Sequence, residues 1–256
     1  MSSTLESGEA AAAEQHSFTE KLRLIPEYLR TKQGNPWDRV PRPVELLDAR
    51  EYLEAERLHK TLLAEGYTMI SSRRGRILHR LAADADRRGV QGALVDCGVW
   101  NGGSTILLSA GSPLREVWAF DSFEGLPEPG ELDGSESAGW AGECLGAEDR
   151  LREGMARFGS PERLHAVKGW FEDTFAKTAP EIGPIAVLHA DGDWYESVLL
   201  TLRTFYDQIP SGGAVVIDDY GHWIGAQRAT DEFRAEVGET APLQASDYSG
   251  RWWRKS

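Results

Sequence analysis

The chain has 256 residues, a net charge of −13, 41% hydrophobic residues and 27% charged residues, which is enough for one large domain with a sizeable core. The acidic balance disfavours a nucleic-acid binder or a polybasic membrane anchor, because both need clustered basic residues. No run approaches the roughly 18 apolar residues of a membrane span. Two cysteines, Cys97 and Cys144, are too few for a disulfide framework and indicate reduced thiols in a cytoplasmic protein.

The first 91 residues have a different pattern of apolar and polar residues from the rest of the chain. Residues 1–16 are small and polar, without a basic or apolar segment typical of a secretory signal, and are predicted to form a disordered tail. Residues 17–91 are predicted to form a helical N-terminal extension, which glycine and prolines break near 34–43. Its clearest helical runs cover about 48–63 and 72–88.

From residue 92 onward, short apolar runs alternate with helical runs. Strands are predicted at 93–97, 116–120, 163–167, 185–190, 214–217 and 248–255, and helices at 104–110, 146–158, 171–178, 195–208 and 226–237. Almost purely apolar strands that alternate with helices indicate an α/β domain over 92–256, with a parallel-rich sheet and helices on both faces. The long acidic segment 124–143 is predicted to be a functional lid.

A glycine-rich turn, Gly98-Val-Trp-Asn-Gly-Gly103, follows the first strand. Ligands of open α/β sheets bind beyond the carboxyl ends of strands, and glycines there permit close approach of the backbone. The spacing fits neither a dinucleotide-binding motif nor a P-loop. Asp96 suits a ligand ammonium group, and Asp121, at the end of the second strand, suits the hydroxyls of a ribose. These features predict S-adenosylmethionine, with a plain tight turn and a strand-end cap as the alternative.

Four acids follow the fourth and fifth strands: Asp191, Asp193, Asp218 and Asp219. Because parallel strands end at the same edge of the sheet, these carboxylates would repel one another unless a cation joined them. Oxygen ligands favour Mg²⁺ over zinc. Asp191 and Asp218 are the better ligand candidates, since Asp193-Trp-Tyr-Glu196 also matches a capping box in which Asp193 only caps the next helix.

Several segments together resemble the macrocin O-methyltransferase family over about residues 65–256. They are VDCGVWNGGS, AFDSFEGLP, VKGWFEDT, HADGDWYES, VIDDYGHWIGAQRATDEF and YSGRWWRK. The resemblance implies a class I methyltransferase (Rossmann-like) fold that uses S-adenosylmethionine and Mg²⁺ to methylate a deoxysugar hydroxyl of an antibiotic. It also implies a glycosylated small-molecule acceptor, a homo-oligomer, and a contribution of the N-terminal extension to the cofactor and acceptor pocket.

The same resemblance implies site residues. Asp191, Asp218 and Asp219 would hold the metal, and Asp193 would be the general base. His222, close behind Asp219, is a further candidate for catalysis or acceptor binding, with a structural histidine as the alternative. Together with Asp96, the residues expected around the cofactor are Thr68, Met69, Gly98, Trp100, Asn101, Gly102, Gly103, Ser104, Asp121, Ser122 and Gly169. Family members often carry Glu at the position of Asp96 and Arg at that of Asn101.

The predicted chemistry is activation of a weak nucleophile. A sugar hydroxyl ionises far more easily on a metal ion, and Asp193 would accept its proton. One alternative is the same transfer to a catechol-like phenol. A nicotinamide-dependent oxidoreductase is disfavoured by the glycine spacing, and a binding protein without turnover is disfavoured by the complete set of aspartates. His189, inside an apolar strand, is expected to be a core residue.

Overall fold

The structure, a computed structural model, describes residues 49–256. The predicted tail at 1–16 and the first part of the predicted extension, up to residue 48, lie outside the described residues. The described part begins with helices α1 (Ala49–Ala64) and α2 (Ser72–Arg87), close to the predicted helical runs. The hydroxyl of Ser71 accepts a hydrogen bond from the Arg74 amide (3.2 Å) and so caps α2.

Strands and helices alternate from residue 93. They are β1 (Ala93–Cys97), α3 (Gly103–Gly111), β2 (Val117–Asp121), α4 (Glu148–Phe158), β3 (Leu164–Lys168), α5 (Phe171–Ile182), β4 (Ile185–Ala190), α6 (Tyr195–Phe205), β5 (Ala214–Ile217), α7 (Ile224–Glu236), β6 (Gln244–Ala245) and β7 (Arg251–Arg254). Among residues 49–256, none of the helices combines the length and apolar character needed to cross a bilayer.

The sheet has the strand order β3-β2-β1-β4-β5-β7-β6. The first five of these strands are parallel, whereas β7 runs antiparallel to β5 and β6 antiparallel to β7. The six predicted strands are present, but the last is shorter than 248–255, and β6 is absent from the sequence prediction. A two-residue strand has too little apolar pattern to be recognised, and the short β6–β7 connection permits only antiparallel pairing.

The central strands of the sheet, β1, β4 and β5, are buried on both faces, as predicted. Successive strand residues point to opposite sides, so Leu94 belongs to one apolar cluster and Val95 to the other. The first cluster packs the sheet against α2, α3 and α4, and the second against α5, α6 and α7. Both faces of the central strands must therefore be apolar, which explains their continuous hydrophobic runs.

Backbone hydrogen bonds continue beyond the strand ends and hold three turns side by side. The amide of Gly98 donates to Phe120 O (2.8 Å), that of Asp191 to Cys97 O (2.8 Å), and that of Asp218 to Ala190 O (3.0 Å). The glycine turn after β1 and the aspartates after β4 and β5 are thereby brought to one edge of the sheet.

Gly98 is predicted to be essential for this packing. Its φ is +90°, and a Cβ there would lie 1.9 Å from the backbone oxygen of Asp191. Gly98→Ala should lower the free energy of unfolding by about 3 kcal/mol or more, through steric overlap and backbone strain together. Gly139→Ala is the matched control, because φ is +84° there but no atom lies within 4 Å of the added Cβ. Denaturant unfolding of both variants measures the difference, and equal losses would contradict the close approach.

Candidate active site

A cleft of about 620 Å³ opens at the carboxyl edge of the sheet. This volume lies within the roughly 300–1,000 Å³ typical of small-molecule sites. Its walls come from the ends of β1, β2, β4 and β5, the starts of α2, α5 and α6, and the segment 125–133. The cleft thus lies where ligands of α/β sheets bind.

Asp121 joins the glycine turn to the loop after β2. Its Oδ2 accepts a hydrogen bond from the Trp100 amide (2.8 Å), and its Oδ1 accepts one from the Phe123 amide (2.7 Å). Burial raises the pKa of Asp121, although these amides work in the opposite direction. Asp121 therefore holds the glycine turn and the loop after β2 together at the wall of the cleft.

The predicted cofactor residues fall into two groups. Those that line the cleft are Met69, Gly98, Trp100, Asp121 and Ser122. The others belong to the segments that support these walls: Thr68, Asp96, Asn101, Gly102, Gly103, Ser104 and Gly169. Asn101 illustrates this support, because its side chain donates to Gly66 O (3.0 Å) and accepts from the Ala147 amide (3.1 Å).

Asp96 has a different environment from the one expected. It is fully buried, and its Oδ2 accepts hydrogen bonds from the hydroxyls of Ser104 (2.8 Å) and Thr105 (2.6 Å). Its Oδ1 lies 2.7 Å from Nδ1 of His189. The carboxylate thus fixes the start of α3 from inside the protein instead of facing the cleft.

His189 is buried, as expected for its strand, but it also links two acids. Its Nε2 lies 3.4 Å from Asp218 Oδ1, while Nδ1 faces Asp96. Burial alone would lower the pKa of His189, but the hydrogen bonds to Asp218 and Asp96 outweigh burial and raise it well above its ordinary value. Both ring nitrogens therefore face carboxylate oxygens, an arrangement that favours the charged form of the ring.

Asp218 is engaged by Arg74, a residue that the sequence analysis did not identify. The buried guanidinium forms ion pairs with Asp218 and with Asp247 (2.9 Å), and reaches Asp219 at 3.7 Å. Burial would raise the pKa of Asp218, but Arg74 and His189 outweigh it and lower the pKa. One signal was present in the sequence: Arg74 shares the buried face of α2 with Leu78, where an unpaired charge would be costly.

The remaining aspartates form a compact group. One carboxylate oxygen each of Asp191, Asp193 and Asp219 lies within 4.8 Å of the others. Burial, reinforced by neighbouring carboxylates, raises the pKa of Asp191 and Asp193 well above the ordinary value and that of Asp219 to about 6. Asp218, predicted to complete the ligand set, instead shares a second group with Asp191 and His189.

Asp193 does not cap α6. The N-cap residue is Trp194, which makes no side-chain capping bond, and Asp193 adopts a left-handed backbone conformation with φ of +57°. Its Oδ1 accepts a hydrogen bond from Nε1 of Trp223 (2.8 Å). The capping alternative is therefore wrong, and the carboxylate faces the aspartate group.

His222 lies beside this group. Its ring packs edge-on against Trp223, with centroids 4.3 Å apart, and its backbone amide donates to Asp219 O (3.0 Å). The structure places His222 on the turn that carries Asp218 and Asp219, and its catalytic role stays a prediction.

The family model described as macrocin-O-methyltransferase (TylF) matches residues 47–255. This chain belongs to the macrocin O-methyltransferase family. It is therefore an S-adenosylmethionine-dependent O-methyltransferase, and the alternatives of a nicotinamide-dependent oxidoreductase and of a binding protein without turnover fall away.

Individual relatives agree with this assignment. The chain is 33% identical over 210 residues to demethyldecarbamoylnovobiocin O-methyltransferase of Streptomyces niveus, covering 75% of this chain and 77% of the relative. It is 37% identical over 181 residues to 8-demethyl-8-(2,3-dimethoxy-alpha-L-rhamnosyl)-tetracenomycin-C 4'-O-methyltransferase of Streptomyces olivaceus, covering 65% and 67%. The solved structure of the O-methyltransferase NovP matches with a TM-score of 0.67 and 32% identity, covering 74% of this chain and 82% of that one. The class I methyltransferase fold is thus confirmed.

We predict that Asp121→Ala weakens cofactor binding by at least about tenfold, because two loops lose their common acceptor and a charged contact is lost with it. Calorimetric titration with S-adenosylhomocysteine measures the change. Glu124→Ala is the control, since Glu124 is an exposed acid three residues away. An affinity that stays the same in both variants would contradict the role of Asp121.

Proposed function

We propose that this enzyme requires a divalent cation, Mg²⁺, and methylates a sugar hydroxyl of a glycosylated natural product. The observation that carries the proposal is the group of Asp191, Asp193 and Asp219, whose oxygens lie within 4.8 Å of one another at the floor of the cleft.

The donor set fits a hard cation. Carboxylate oxygens are the ligands that Mg²⁺ prefers, and Mg²⁺ commonly uses only one or two protein carboxylates beside water and substrate. Asp191 and Asp219 would hold the ion, and Asp193 would stay unliganded as the base. The raised pKa values of Asp191, Asp193 and Asp219 report a local excess of negative charge that Arg74 and His189 do not neutralise. Asp191 belongs to both candidate groups, so it is the ligand that every arrangement would use.

When bound, S-adenosylmethionine supplies the methyl group, and the divalent ion lowers the pKa of the acceptor hydroxyl. The chain itself performs three tasks. Asp121 and the glycine turn orient the cofactor side of the cleft. The carboxylate of Asp193, which accepts a hydrogen bond from the Trp223 indole, takes the proton from the hydroxyl of the methyl acceptor. The segment 125–133 lines one side of the cleft and would limit access of water to it, which favours a transfer that neutralises charge.

The chemical class of the methyl acceptor is inferred from the names of the relatives. The Streptomyces olivaceus enzyme is named for a rhamnosyl tetracenomycin, so its acceptor carries a deoxysugar. By analogy we assign a glycosylated acceptor to this chain, whereas a cytoplasmic homo-oligomer stays a prediction from the sequence. A panel of glycosides and catechols, assayed with and without chelator, tests this assignment. Methylation of catechols alone would establish the phenol alternative instead.

Asp193→Asn should lower kcat by about 100- to 10,000-fold, because the amide cannot accept the acceptor proton. Its carbonyl oxygen can still accept the Trp223 hydrogen bond, so the fold and the S-adenosylhomocysteine affinity should stay close to those of the unsubstituted enzyme. Single-turnover kinetics measure the rate, and calorimetry measures the affinity. A variant with a full rate would contradict the assignment of Asp193 as the base.

The aspartate group also predicts how Mg²⁺ acts on stability. In the folded protein the pKa of Asp219 is raised to about 6, whereas in the unfolded chain it is about 4. Between these two pH values the folded protein therefore keeps a proton that the unfolded chain has lost. Stability of the ion-free protein should therefore fall as pH rises through this window. Mg²⁺ requires ionised ligands, so its addition should raise Tm more at about pH 7.5 than at about pH 5.5. Asp219→Asn should reduce that difference, and an equal Mg²⁺ effect at both pH values would contradict the site.

A further inference from the structure

One acid of the acidic loop, residues 124–143, differs from its neighbours. Asp133 is buried, whereas Glu131 and Glu136 are exposed. Its Oδ1 accepts a hydrogen bond from the Tyr195 amide (2.7 Å), and its Oδ2 accepts one from the Gly130 amide (2.7 Å). The carboxylate therefore joins the acidic loop to the first residue of α6, which follows it by 62 residues.

Asp133 also lies against the start of α7. A Cβ built on Gly225 would lie 1.8 Å from Asp133 Oδ1 and 2.9 Å from the Tyr195 amide nitrogen. The starts of α6 and α7 thus meet at one buried carboxylate. Free amides and the helix dipole both favour a negative charge at a helix N-terminus, and in partly buried geometries the gain reaches about 2 kcal/mol.

These two helices follow the turns that carry the aspartates. Residues 191–194 lead into α6, and residues 218–223 lead into α7. A local capping box would have turned the Asp193 carboxylate toward the α6 amides. Because Asp133 supplies that acceptor from the acidic loop, Asp193 is free to face Asp219 and the cleft.

We infer that Asp133 is a positioning residue for methyl transfer: it fixes the acidic loop as a wall of the cleft and, by capping α6, sets the direction of the Asp193 carboxylate. This inference rests on the proposed role of Asp193. Asp133 itself acts through Tyr195 and Gly130 and touches no reacting atom.

The main test compares Asp133→Ala, Asp133→Asn and Glu136→Ala, the last removing one exposed acid from the same loop. Asp133→Ala should lower kcat roughly 10- to 100-fold, because small displacements of a catalytic group are costly. S-adenosylhomocysteine affinity should change little. Asp133→Asn should recover part of the rate, since its oxygen can still accept from the Tyr195 amide, and Glu136→Ala should behave like the unsubstituted enzyme. Equal kcat values in Asp133→Ala and Glu136→Ala would overturn the inference.

Amide hydrogen exchange supplies a readout that does not depend on turnover. Asp133→Ala should speed exchange in peptides covering 126–143 and 192–200 together, because both segments lose the same contact. Gly225→Ala, which displaces the carboxylate without removing it, should speed exchange in the same two segments. Faster exchange confined to 126–143 would overturn the coupling. If the unsubstituted protein methylates no glycoside, or keeps its full rate with chelator, the proposed function is wrong, while the exchange data still decide whether Asp133 links the two segments.

Discussion

Repulsion among aspartates at two neighbouring strand ends is the constraint on which the site depends. Asp191, Asp193, Asp218 and Asp219 are confined there because the backbone ladder of the sheet continues through the turns after β4 and β5. Two like charges about 4 Å apart, at an effective dielectric constant of about 20, repel by about 4 kcal/mol. Arg74 and His189 relieve Asp218, but the other three aspartates keep raised pKa values. The fold thus concentrates carboxylates at the floor of the cleft, and this is the charge that the proposed Mg²⁺ would neutralise.

A network of buried hydrogen bonds connects these aspartates to the start of α3, on the side of the cleft where the cofactor is expected. Asp96 and His189 are register partners on β1 and β4, so the sheet itself sets them side by side. From Asp96 the hydrogen bonds continue to Ser104 and Thr105 at the start of α3, and from His189 they continue to Asp218. Every member is buried, and a buried polar chain is stable only when its groups are satisfied together. A disturbance at the glycine turn should therefore reach the aspartates through this chain of buried side chains.

Local patterns in the sequence predicted most of the fold and the edge of the sheet that carries the site. Apolar runs alternating with helical runs were sufficient for β1 to β5, and acids directly after strands were sufficient to bring Asp121, Asp191 and Asp219 to the cleft. The partners of those acids were not predictable in this way. Arg74 meets Asp218 across 144 residues, and nothing local distinguishes Asp133 from the other acids of its loop. The surroundings of Asp96 were equally unpredictable, because a position at a strand end does not reveal that Ser104, Thr105 and His189 contact its oxygens.

The carboxylate of Asp193 could either cap α6 or face the cleft, and it cannot do both. A side chain that accepts hydrogen bonds from helix amides has a lowered pKa and a fixed direction, and both oppose proton transfer to it. The residue spacing at Asp193-Trp-Tyr-Glu196 permits that local solution, yet the fold supplies the acceptor from elsewhere and leaves Asp193 in a left-handed conformation, a strained state that costs about 1–3 kcal/mol. Such strain persists only where the surroundings hold it in place. Here the Trp223 indole holds the carboxylate from one side and the capped helix start holds the backbone from the other, so the Asp193 carboxylate stays directed at the aspartate group at the expense of local stability.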